Sequence, residues 1–140
     1  MFMKMNSMIN NFSVVIPVFN EEEIFLESAD KIFKICQEMN MPFEIIFSEN
    51  GSMDNTKNLI QAFIEDKDNC FMINSNYANY GLALKNGFEI AKNDVVISFD
   101  IDYFSKKFLK QSLKLDENYV ALVASKRLNE SEDERTFIRK

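Results

Sequence analysis

The sequence predicts an α/β domain built on a mainly parallel, doubly wound sheet, and three observations carry that reading. Short runs rich in Val, Ile and Phe recur along the chain. Their lack of polar positions marks strands buried on both faces, as in parallel sheets. Between them lie longer segments whose apolar residues return every three or four positions, the spacing of an amphipathic helix. Strand and helix alternate from the first run to the fifth, which implies crossover connections between parallel neighbours. One domain of 140 residues is long enough to bury a core, and 46% apolar content with 14 Phe fits a globular protein.

Residues 1–11, rich in Met and Asn, read as a loose N-terminal leader without the apolar core of a signal peptide. Ser13–Ile16 form the first strand, and Pro17, which cannot donate to a ladder, fits at its last position. Asn20 is placed to cap the first helix, with Glu23 completing a capping box. Phe25, Ala29, Ile32, Phe33, Cys36 and Met39 give that helix its buried face, and Met41–Pro42 stops it. Phe43–Ser48 is the second strand. Gly51 then supplies the positive φ of a tight turn, and Ser52 caps a helix that buries Leu59, Ile60, Phe63 and Ile64. Cys70–Ile73 is the third strand. Asn79–Tyr80–Gly81 opens a helix with Leu84, Phe88 and Ala91 inward. Val95–Phe99 is read as the central strand, Ser105 as the start of a helix carrying Phe108, Leu109 and Ser112, and Val120–Ala124 as the fifth strand.

The central run ends abruptly in Asp100–Ile101–Asp102. In an extended segment residues i and i+2 face the same way, so both carboxylates are expected to project together. Their mutual repulsion asks for a positive partner, a hard divalent cation above all. Such a pair is weak by itself. With 22 acids in 140 residues, chance supplies about three acid-x-acid pairs, and Asp66-x-Asp68 reads as one of them. Position adds weight, because open α/β sheets bind ligands at the carboxyl ends of their strands. A metal-bound diphosphate is the expected occupant.

Composition excludes other classes. A net charge of −6 argues against a nucleic-acid-binding surface. Lys106, Lys107, Lys110 and Lys114 cluster on one helix and read as a solvated face. Cys36 and Cys70 lie in apolar stretches without C-x-x-C spacing, as reduced thiols of a cytosolic protein. The absence of histidine removes the usual general base and the commonest zinc ligand. No apolar run approaches the ~18 residues of a membrane span.

Five stretches together resemble the family 2 glycosyltransferases of the GT-A fold, especially the polyprenyl-phosphate (dolichol-phosphate) sugar synthases. Val14–Glu21 looks like the opening V-I-P-x-Y-N-E segment, and Glu44–Thr56 resembles E-I-I-V-V-D-D-G-S-T-D-G-T. Gly81–Phe88 with Ala91 is similar to the G-x-A-x-x-x-G-F-x-x-A helix. Asp100–Ile101–Asp102 falls where D-x-D belongs, and Ser125–Lys126–Arg127 matches an S-x-R after the next strand. Four motifs in order and spacing are specific where D-x-D alone is not.

The resemblance implies a Rossmann-like nucleotide-diphospho-sugar-binding domain over 12–124, with 125–140 the start of a truncated acceptor-side region. Pro17, Asn20 and Glu21 would line the pocket for the base, and Glu49 would hydrogen-bond it, with Gly51 and Ser52 in the same turn. Lys85 would approach the donor phosphates. Asp100 would hold the ribose or metal side, and Asp102 would ligate Mg²⁺ or Mn²⁺ across the diphosphate of a UDP- or GDP-sugar. A polyprenyl-phosphate acceptor would place the protein in the cytoplasm, at the cytoplasmic face of the membrane. The chain also departs from the pattern. Glu49 and Asn50 replace two aspartates, Tyr80 stands where a basic residue is common, and no catalytic base is identifiable. Two other readings remain. One is a non-catalytic or truncated nucleotide-sugar-binding module that needs a partner chain to complete the acceptor site. The other is a metal-dependent nucleotidyltransferase, disfavoured because Asn20–Glu23 would repel phosphate where that class carries a Gly-rich loop.

Overall fold

The computed structural model describes residues 9–93 and 95–114. The chain runs β1 (Phe12–Val18), α1 (Phe25–Gln37), β2 (Phe43–Glu49), α2 (Thr56–Ile64), β3 (Cys70–Asn74), α3 (Tyr80–Ile90), β4 (Val95–Ser98) and α4 (Lys106–Ser112). The four strands form one all-parallel sheet in the order β3-β2-β1-β4. The leader up to residue 8, the strand expected at 120–124 and the region 125–140 lie outside the described residues.

Alternation along β1 assigns the two faces of the sheet. Val14, Ile16 and Val18 join Phe47, Phe25 of α1 and Ile60 and Phe63 of α2 in the main core. Phe25, Phe47 and Phe63 meet edge to face at 5.2, 5.8 and 6.0 Å between ring centres. Truncating Phe25, which is fully buried, would cost about 3–5 kcal/mol. The opposite face carries Val15 and Ser48, and there α3 lies down closely. Ser48 Oγ donates to Ala83 O at 2.7 Å, and Gly87 sits directly on Val15. Below it, Glu44 Oε1 accepts from Ser13 Oγ and from Lys92 N, both at 2.6 Å. That pairing lets a carboxylate lie buried.

The structure corrects several local expectations. β4 is four residues long and stands at an edge of the described sheet; the central strands are β1 and β2. α1 begins at Phe25, a turn later than a cap at Asn20 would give, and α2 begins at Thr56 instead of after Ser52. Asn20 has φ +52 and binds another loop, so it cannot serve as a helix cap. α3 buries Ala83 and Gly87, leaving Phe88 44% exposed, because small residues let the helix approach the strands. Asn79 and Ser105 do cap α3 and α4, their side chains accepting from Leu82 N and Phe108 N. Pro17 lies one residue inside the end of β1. Val15 O accepts from Phe99 N on the β4 side, and bonding alternates along a parallel strand. The Pro17 nitrogen thus falls on that same side, past the last pair Val15↔Ser98. The missing donor breaks no ladder bond.

Candidate functional site

The order β3-β2-β1-β4 reverses direction between β1 and β4. At such a switch point the loops leaving adjacent strands diverge to opposite faces and open a crevice at the carboxyl ends. A cleft of about 220 Å³ lies there, lined by Pro17, Val18, Phe19, Glu21, Asn50, Tyr80, Asp100, Ile101 and Asp102.

One rim is built by two loops bound to each other. Asn20 N donates to Ser52 Oγ at 3.0 Å, and Met53 N returns a bond to Asn20 Oδ1 at 2.8 Å. Glu21 N donates to Thr56 Oγ1 at 2.8 Å, and Asn55 N to Glu22 Oε2 at 2.8 Å. Asp54 Oδ1 accepts from Thr56 N and Oγ1 at 2.9 and 2.5 Å, capping the start of α2. The turn between them depends on Gly51. Its φ is +75, and a Cβ there would lie 2.8 Å from the Tyr77 carbonyl carbon. Both conditions admit glycine only. Glu49, 2% exposed, turns its Oε1 onto Ser52 N at 2.5 Å and closes the turn from below.

The other rim is the turn after β4. The extended run stops at Ser98, and Tyr103 N donates to Asp100 O at 3.1 Å. Asp100 and Asp102 therefore reach the same cleft from a turn, not from an extended strand end as expected. Ile101 between them is buried. Tyr80 Oη donates to Asp100 Oδ1 at 2.9 Å, tying this turn to the start of α3.

Three carboxylates converge here. Burial pushes the Glu21 carboxyl above its ordinary range, and the charges of Asp102, Asp54 and Asp100 push it further. The cleft thus carries negative potential that a cation would relieve. Among the described residues, no group of three His, Cys, Asp or Glu side chains could hold a metal ion alone. An oxygen-only set of two carboxylates, completed by substrate phosphates, is the arrangement magnesium takes. The residues present fit such an ion.

The sequence-predicted residues separate into three groups. Pro17, Glu21, Asp100 and Asp102 line the cleft. Asn20, Glu49, Gly51 and Ser52 form the scaffold behind it. Lys85 lines nothing there; 67% exposed, it faces Glu89 across 3.7 Å on the outer side of α3. Val18, Phe19, Asn50, Tyr80 and Ile101 were missed as cleft residues. Asn50 and Tyr80 had been visible only as departures from a family pattern.

An all-parallel sheet with an acid-rimmed cleft at its switch point defines an α/β domain whose cleft opens at the carboxyl ends of its strands. Within that class the chain belongs to glycosyl transferase family 2, whose sequence model matches residues 13–140. Among curated proteins it is 35% identical over 97 residues to the undecaprenyl-phosphate 4-deoxy-4-formamido-L-arabinose transferase of Proteus mirabilis, covering 67% of this chain and 29% of that one. It is 37% identical over 93 residues to the protein of the same name from Pseudomonas fluorescens, covering 64% and 27%. The Yersinia pestis protein of that name is 33% identical over 103 residues, covering 71% and 31%. The chain spans less than a third of the length of these curated relatives. No helix among the described residues is long and apolar enough to cross a membrane.

Proposed function

We propose that the cleft binds a nucleotide-diphospho-sugar with Mg²⁺ or Mn²⁺ and that the protein transfers its sugar to a polyprenyl phosphate. The convergence of Glu21, Asp100 and Asp102 on one cleft at the switch point carries this reading. Asp102, exposed at the mouth, and Asp100 would hold the cation, which supplies neutralisation of the charge on the departing nucleoside diphosphate. The bond from the anomeric carbon to the diphosphate oxygen breaks with its electron pair going to that oxygen. An acceptor phosphate oxygen forms the new bond. That acceptor is already ionised, which suits a chain without histidine. The relatives' names favour the same acceptor class. Tyr80 orients Asp100 through its hydroxyl, and Pro17, Val18 and Ile101 exclude water from one wall. A thiol-reduced, cytoplasmic setting at the membrane face accords with the two free cysteines.

Incubation with labelled UDP- and GDP-sugars, Mn²⁺ and polyprenyl phosphate tests this, with lipid-linked sugar as the expected product. Asp102→Ala is expected to abolish metal-dependent donor binding. Since the chain spans under a third of its relatives' length, a second reading assigns donor binding to these residues and acceptor binding to others. Donor binding without turnover would select it.

A further inference from the structure

We propose that the outer face of α4 is a docking surface for an anionic lipid bilayer, with Lys107, Lys110 and Lys114 as the groups that meet its headgroups. This rests on the reading of the acceptor as a lipid phosphate, which brings a membrane to the cleft. It adds which face of the protein meets that membrane, and the charge the membrane must carry.

α4 packs inward through Leu109 and Ser112, both buried, and through Phe108 and Leu113, half-buried against the main core. Lys107 and Lys110 stand on the other side of the helix, and both are exposed. Lys114 follows one turn on, also exposed, its N–H donating to Gln111 O at 3.1 Å and continuing the turn. With 3.6 residues per turn the three fall within about 60° of arc.

Pairing separates this stripe from the other lysines. Lys34, Lys67 and Lys85 each face a carboxylate, and Lys92 lies over the Phe71 ring. Lys106, the fourth lysine of the cluster, is bonded to Glu38 at the end of α1. Lys31 and Lys57 stand singly on α1 and α2. Among the described residues Lys107, Lys110 and Lys114 have no ion pair, and no acid occurs between 106 and 114. Like charges one turn apart on a helix repel each other. A plane of negative headgroups relieves all three at once.

Position and magnitude favour a bilayer. Lys107 lies five residues after Asp102, so the stripe begins within about 18 Å of the cleft. An acceptor that offers its phosphate to the cleft while its chain stays in the membrane needs the bilayer beside the mouth. Each lysine close to an anionic surface strengthens binding about fivefold, so three give about a hundredfold. The chain's net charge of −6 does not cancel this, because a Debye length of about 8 Å screens acids on other faces.

Vesicle co-sedimentation tests the docking face. The native protein should pellet with vesicles of phosphatidylcholine and phosphatidylglycerol in equal parts, be released by added salt, and stay in solution with phosphatidylcholine alone. Lys107→Glu/Lys110→Glu should weaken binding at least about thirtyfold. Lys57→Glu/Lys85→Glu carries the same net charge and should weaken it far less. All four positions are exposed, so both variants should keep the native melting temperature. Equal losses in the two variants would mean net charge alone and would overturn the assignment. So would native protein that stays in solution with the mixed vesicles, even if it glycosylates a water-soluble short-chain polyprenyl phosphate. Native protein that binds the mixed vesicles through these lysines and makes no lipid-linked sugar would uphold the docking face and defeat the transfer reading instead.

Discussion

Tyr80 Oη lies 2.9 Å from Asp100 Oδ1, so the first residue of α3 holds the turn that follows β4. The contact crosses the sheet's switch point and joins the two sides of the cleft. Tyr80→Phe deletes only the hydroxyl of a half-exposed side chain. Stability should change little, while Mn²⁺-dependent nucleotide binding should weaken by about 1 kcal/mol, a factor of about five. Calorimetry on the variant decides it; an unchanged affinity would remove Tyr80 from the site.

Gly87 sits where a Cβ would run into Val15 Cγ1. Gly87→Ala should destabilise by about 1–3 kcal/mol through overpacking of α3 against β1. Val15→Ala makes room for the added methyl. The double variant should be more stable than the sum of the single losses allows, by at least ~0.5 kcal/mol. Urea midpoints of the four proteins give the coupling, and strict additivity would contradict this packing.

Glu21 titrates above its ordinary value of 4.5, from burial first and then from the charges of Asp102, Asp54 and Asp100. The folded protein therefore holds this proton more tightly than the unfolded chain. Stability falls as pH rises from about 4.5 through the raised value, and the penalty is complete above it. Glu21→Gln should melt higher than the native protein at pH 7, with the gain vanishing below about pH 4. Calorimetric scans between pH 4 and pH 8 measure this; a gain independent of pH would point to a cause other than charge.

Burial pushes the thiols of Cys36 and Cys70 up to about 12, helped at Cys36 by its neighbour Cys70 and opposed at Cys70 by Lys67. Thiolate is the reactive form. Both residues should resist disulfide reagents at pH 8 in the folded protein and react together on unfolding. Rapid labelling of either one under native conditions would show that the α1–β3 side opens locally.

The sheet and its order of elements were legible in the sequence because apolar runs and helical spacing are local signals. Asn79 and Ser105 were readable as helix starts for the same reason: the backbone groups that their side chains cap lie three residues away. Asn20 was not, since Ser52 and Met53 hold it from more than thirty positions along the chain. The phase of α3 was misread because helical periodicity favours large residues, whereas close approach to Val15 favours Ala83 and Gly87. Asp100 and Asp102 line the cleft, but from a turn and not from the extended strand end that the spacing suggested. The chain turns there, and the turn buries Ile101 while leaving Asp102 exposed at the cleft. Glu49 resembled a ligand-binding acid in sequence, but its carboxylate is turned onto Ser52 N.

The interior position of β1 has a consequence for biosynthesis. Leaving the ribosome before the other three described strands, this strand can pair with β2 early, but the residue that joins Val14 on its far edge, Ile97, follows roughly eighty residues later. At about 5–20 residues per second, that edge waits several seconds with its amides and carbonyls unmatched. An uncovered, apolar strand edge invites pairing with another nascent chain. Yield in a cell should consequently depend on chaperone supply and on translation speed between β3 and β4 more than on the stability of the finished domain.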